Sequence, residues 1–248
     1  QINLSFFTET SPDSLQAMAA LANNEKIPGG IANGITGTLL IVLFASAMSI
    51  PAGLMTGIYL SENSRTRYSS IIRSITEMLQ GVPSIVLGII AYLWIVKNIT
   101  NGFSAFAGSV ALAIMMLPLI VRSTEETLKM VPREIREAAY ALGAPYHRTI
   151  ISVLIPSGLN GISTGILLSL SRVIGETAPL MMTALGSAFI SIDITKPSSA
   201  VPLLIWEFYN DPNMVRLVWS SSLFLMALVL TLNIVSRMIA SKNSTGRR

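Results

Sequence analysis

Several apolar stretches, each long enough to cross a bilayer and separated by short charged loops, set the pattern of the chain. A bilayer core about 30 Å thick takes about 20 mostly apolar residues per helix. Five spans are predicted: Ile31 to Leu60, Ile71 to Val96, Ser104 to Val121, Ser157 to about Leu180, and Leu217 to Ile239. The second is the least uniform. Gln80-Gly81-Val82-Pro83-Ser84 interrupts it and leaves Ser84 to Val96 too short to cross alone, so it is expected to be kinked or broken there. The pattern predicts an all-α, polytopic membrane helix bundle. Residues 1–30 are read as an external N-terminal segment, 31–240 as the transmembrane domain, and 241–248 as a cytoplasmic tail.

Composition agrees, with 51% hydrophobic residues and 12% charged, where a soluble domain carries roughly a quarter charged. The net charge of +4 sits in loops, where the membrane accounts for it better than nucleic acid does. Without cysteine there is no disulfide framework, thiolate metal site or thiol nucleophile. Orientation is set by the basic residues. With the N-terminus outside, the cytoplasmic segments hold 12 of the 17: Arg65, Arg67 and Arg73; Arg122, Lys129, Arg133, Arg136 and Arg148; Arg237, Lys242, Arg247 and Arg248. The expectation is therefore N-out and C-in. The chain starts on Gln1 and its first apolar run begins near Ile31, so no signal of the charged-then-apolar form is present and something upstream is expected. Gly53-x-x-x-Gly57 and Gly161-x-x-x-Gly165 are read as bundle packing.

One loop, residues 122–156, carries a partner signal. Pro132-Arg-Glu-Ile-Arg-Glu-Ala-Ala-Tyr-Ala-Leu-Gly143-Ala-Pro145 opens with proline at a favoured first helical position and closes with a capping glycine. Ile135, Ala138, Ala139 and Leu142 form one apolar stripe, with Arg133, Glu134, Arg136 and Glu137 on the polar side. Such a helix needs a surface to cover the stripe.

Glu137-Ala138-Ala139, Gly143 and Val153-Leu154-Ile155-Pro156 resemble, at full spacing, the signature loop of ABC importer permeases. The resemblance implies the type I permease fold and a coupling helix that docks on a separate ATPase through Glu137, Ala138, Ala139, Leu142 and Gly143. Three stretches are similar to the phosphate-specific branch: Gly81-Val82-Pro83-Ser84-Ile85-Val86, Arg136 to Ala144, and Arg172-x-x-Gly175-Glu176-Thr177-Ala178-Pro179-Leu180. Ala178-Pro179 favours one of that branch's two paralogous subunits. The resemblance implies phosphate as substrate, and as partners a paralogous permease, ABC ATPase subunits, an external phosphate-binding protein and membrane lipid. It places the chain as a multi-pass protein of a prokaryotic cytoplasmic membrane. Members usually have six spans, so one span is expected upstream of residue 1.

From Val153 to Ile192 the chain carries two charges, Arg172 and Glu176. Charges inside a bilayer are costly and face a bundle interior or a water-filled path. Four residues apart, they would share one face of a continuing helix. The guanidinium fork matches a phosphate anion, and Glu176 would hold it between passages. The bland alternative is an ion pair that fixes helix register. Thr177 and Ser171 offer hydroxyls to the same path, though such groups in membrane helices mostly bond their own backbone. Arg122 is a candidate for the exit. Lone His147 is read as solvated, with no cluster of metal-binding spacing around it.

No G-x-x-x-x-G-K-[ST] loop occurs, so ATP is expected to be bound elsewhere. No catalytic constellation or cofactor site is expected either. The competing readings are a permease for another oxyanion and a non-transporting membrane anchor for a cytoplasmic ATPase.

Overall fold

The computed structural model describes residues 3–242. Among these the chain is helical, with one isolated bridge between Leu185 and Ser198. Residues 243–248, most of the expected tail, lie outside the described residues.

Four helices are long and apolar enough to span: α3 (Ala32–Glu62), α6 (Ala105–Lys129), the column Tyr146–Ile174, and α12 (Val215–Lys242). The column consists of α8 (Tyr146–Thr149), a π turn at Ile150–Leu154 and α9 (Ile155–Ile174). Pro156 supplies no backbone donor, and just before it the Ile155 N–H reaches back five residues to the Ile150 carbonyl.

A fifth candidate span is a bent pair of helices. α4 (Arg67–Gly81) meets α5 (Ser84–Ala91), which runs on as a π turn to Val96, at 104°. Proline pushes its predecessor out of the helical region, and Val82 is extended at ψ 129°. The break expected from the sequence is thus present, and it is a sharp bend.

α6 is the hub. Two thirds of its apolar window is buried (67%), against 28%, 22% and 11% for α3, the Tyr146 column and the Pro212–Ile239 segment containing most of α12. Both small-residue pairs explain why. Gly53 and Gly57 lie against Ile120 and Thr124 of α6, while Gly161 and Gly165 lie against Thr127 and Ser123. In lipid, close backbone approach gains the packing that hydrophobic burial supplies in water. Ile41, Leu112, Met116, Ile120, Val173 and Leu180 fill the core around this seam.

The structure corrects several boundaries. α6 runs two turns past Val121, so Arg122 to Lys129, read as loop, are helical. The fourth span begins at Tyr146 and ends at Ile174. In place of a run to Leu180, the chain breaks there and forms a separate short helix, α10 (Ala178–Thr183). α10 lies on α5, with Pro179 against Gly88. Three helices are too short to span: α1 (Leu4–Thr8), α2 (Ser14–Ala22) and α11 (Val201–Asn210). They cap the end of the bundle where α3 begins. Phe6, Leu204 and Phe208 are buried together there, and Asn33 bonds Ser11 and the Ser187 carbonyl. Ser14 also ties α2 to Asp211, holding that carboxyl below its usual range.

Candidate functional site

Arg172 occupies the last turn of α9, and Gly175 caps that helix. Glu176 is therefore past the helix end, which corrects the expectation of a continuing helix. The pair still meets, but loosely: Nε to Oε1 is 3.8 Å, with the Arg172 side chain 45% exposed and Glu176 20%. The C-terminal carbonyls of α9 favour a cation at this place. Ser171 does not share the site. Its hydroxyl bonds the Leu168 carbonyl and Asn233 of α12. Thr177 precedes α10 without a capping bond and lines a groove of about 400 Å³ with Gly175, Ile205 and Leu225.

Arg122 is remote from that pair. A β-carbon at Gly165 would stand 1.9 Å from the Ser123 hydroxyl, so residue 123 is level with residue 165. Arg172 lies seven residues further, about 10 Å along the axis at 1.5 Å per residue. Arg122 instead bonds Glu126 at 2.9 Å on an exposed face. It lines a cavity of about 200 Å³ with Arg73, Glu77, Gln80, Glu125 and Lys129.

The loop helix forms as α7 (Arg133–Ala141). Its end is a Schellman turn, in which Gly143 N–H donates to the Tyr140 carbonyl at 2.9 Å and Ala144 N–H to the Ala139 carbonyl at 3.1 Å. Gly143 has φ +75°, a region that side chains disfavour. The apolar stripe does not all face outward. Ala139 is buried and Ile135 packs on Leu128, Val131 and Leu154, whereas Glu137, Ala138, Gly143 and above all Leu142, 88% exposed, face out. Arg136, assigned to the polar side, turns inward: Nη1 donates to Glu62 and Nη2 to the Leu128 carbonyl. The last turn of α6 runs out of helical donors, and the guanidinium adds a bond to the Leu128 carbonyl, which also accepts from the Val131 N–H.

At this charged end Glu62 and Glu125 escaped the sequence reading, and Arg73 and Arg136 entered it only as cytoplasmic or polar-face charges, not as their partners. Glu125, 9% exposed, accepts from Arg73 Nε at 2.7 Å and from Lys129. Arg73 also donates to the carbonyls of Leu60 and Ser64. A carboxylate near the end of each of two spans, facing basic loops, was the available signal.

The bent helix pair, the hub helix with glycine-packed neighbours and the half-exposed loop helix define a polytopic helical membrane protein. The chain belongs to the family of binding-protein-dependent transport system inner membrane components, which matches residues 49–244, and within it to the phosphate transport system permease PstA group. It is 39% identical over 244 residues to PstA of Yersinia pestis, covering 97% of this chain and 79% of that protein. It is 40% identical over 230 residues to PstA 1 of Mycobacterium tuberculosis, covering 90% and 74%. Among solved structures, an inward-facing MetNI methionine ABC transporter chain superposes with a TM-score of 0.66 at 17% identity, over 84% of this chain and 92% of that one. A chain of an amino acid ABC transporter gives 0.58 at 17% identity, over 92% and 97%. These two matches bear on the fold, which is that of the type I importer permeases.

Proposed function

We infer that the protein is the transmembrane permease subunit of an ATP-driven phosphate importer and forms half of its translocation path. The similarity to PstA proteins supports the substrate class. A paralogous permease supplies the other half, a separate ABC ATPase the energy, and an external binding protein the anion. The distribution of basic residues supports an N-out, C-in orientation in a cytoplasmic membrane. Glu137, Ala138, Leu142 and Gly143 contact the ATPase, while Ala139 sets the inward face of α7.

The observation that carries the anion site is how little of Arg172 is committed. Arg73 makes three hydrogen bonds and Arg136 two, all within 3.2 Å. Among the described residues Arg172 meets Glu176, at 3.8 Å, with nearly half its side chain exposed. A fork in that state is free to take a tetrahedral oxyanion bidentately, and Glu176 reclaims it once the anion leaves. Thr177 lies on the same path and Arg122 nearer the exit.

The test is phosphate uptake by the reconstituted complex. Arg172→Gln abolishes uptake while assembly and basal ATP hydrolysis persist, and Arg172→Lys rescues in part, keeping charge but losing the fork. Glu176→Gln retains the anion longer and slows turnover. Parent-level uptake by Arg172→Gln, or loss of assembly as its sole defect, refutes the role. Uptake of another oxyanion in preference to phosphate moves the substrate assignment.

A further inference from the structure

Two arginines grip the same seam from different helices. At the charged end α3 and α6 finish side by side. From α7, Arg136 reaches Glu62 in the last turn of α3 at 2.5 Å and the Leu128 carbonyl in the last turn of α6 at 3.1 Å. From α4, Arg73 reaches the Leu60 carbonyl of α3 at 3.2 Å, the Ser64 carbonyl just beyond it at 3.1 Å, and Glu125 of α6 at 2.7 Å. Each guanidinium therefore ties its own helix to both α3 and α6. The carboxylate acceptors are largely withdrawn from solvent, Glu62 and Glu125 both at 9% exposure, where charge-assisted bonds are strong and weakly screened.

The two tethered helices differ in kind from the bundle. α7 is nine residues long and holds the bundle end through Arg136 and Ile135. α4 is the first arm of the 104° bend at Gly81-Val82-Pro83, whose hinge residue Gly81 has nothing within 4 Å of where a β-carbon would stand. A rigid seam with a docked helix on one side and a hinged helix on the other passes displacement from the first to the second.

We propose that Arg136 and Arg73 are positioning residues of a single relay, in which movement of α7 shifts the paired ends of α3 and α6 and changes the bend between α4 and α5. This deepens the permease reading, since it names how the ATPase-facing helix reaches the bent helix pair. It needs no substrate contact by either arginine.

The test uses the whole reconstituted transporter, with nitroxide labels at Tyr68→Cys on α4 and Trp94→Cys beyond α5. Both positions are exposed, at 74% and 66%, and the chain has no cysteine of its own. In the parent the distance between the labels changes on ATP binding and returns after hydrolysis. Arg136→Gln and Arg73→Gln keep assembly and ATP hydrolysis but lose that change, and phosphate moved per ATP falls at least about fivefold, the low end of a coupling free energy. The double variant is no worse than either single one, and the exchange Arg136→Glu with Glu62→Arg recovers part of the distance change. Should Arg136→Gln not assemble, Arg136→Lys, which keeps charge without the fork, shows a partial loss of the distance change. A full distance change in Arg136→Gln, losses that multiply in the double variant, or a full change in Arg136→Lys beside a non-assembling Gln variant overturns the relay. A distance change that tracks ATP in a complex moving no phosphate keeps the relay and removes the substrate assignment.

Discussion

Replacing Gly143 perturbs one backbone angle and almost nothing else. The residue has φ +75°, and a β-carbon there would meet no atom within 4 Å. The cost is therefore conformational and can be worked from the left-handed region alone, about 1–2 kcal/mol for an ordinary L-residue, with a β-branched side chain at the upper end. If the turn opens to escape that strain it forfeits the two Schellman bonds from Gly143 and Ala144, worth about 1 kcal/mol each. Gly143→Val should thus shift the population of the closed turn by about 30-fold, the ratio that 2 kcal/mol corresponds to. Asn, which tolerates the left-handed region, should cost least, Ala more and Val most. Hydrogen exchange at the Ala144 amide reads the turn, and phosphate moved per ATP in the reconstituted complex reads its consequence. Both should degrade in the order Asn, Ala, Val while membrane insertion stays intact. A Val variant with parent-level protection and coupling refutes the reasoning, as does an Asn variant equal to Val.

Orientation is checked by cysteine labelling: Arg65→Cys, in the turn between α3 and α4, should react from the cytoplasmic side, and Ile192→Cys from outside. Ile192 is 82% exposed and suits the purpose better than nearby Ser198, which is 3% exposed; reversed labelling would put α7 in the wrong compartment. Gly165→Ala should destabilise the α6–α9 seam by about 1–3 kcal/mol through overpacking against Ser123, measured as a lower melting temperature in detergent. Adding Ser123→Gly should restore most of that loss, and a Gly165→Ala protein that melts like the parent would contradict the close approach. Glu137→Lys should leave the fold unchanged, since the side chain is exposed, yet weaken co-purification with the ATPase; unchanged capture would remove Glu137 from the contact surface.

The single sequence determined what rests on local rules. Span length against bilayer thickness picked out the five candidate spans, and the steric push of Pro83 on Val82 set the break at Gln80 to Ser84. Proline and glycine fixed where α7 begins and ends. The Arg172–Glu176 pair was legible for the same reason, as charges four residues apart in an otherwise uncharged stretch. Boundaries set by tertiary contact were not legible: polar Arg122 to Lys129 stay helical because Glu125 is buried against Arg73 and Thr124 against Gly57. Nor could periodicity show which side of α7 faces its own bundle. An alanine reads the same on either face, and a long arginine stem can carry its charge inward once Glu62 waits there. Which glycines met which helix, that α6 became the hub, and that Arg73 and Arg136 converge on one seam depend on residues 52 and 74 positions apart from their carboxylates. Local sequence encodes the period and ends of each helix, whereas the choice of neighbour comes from packing all of them at once.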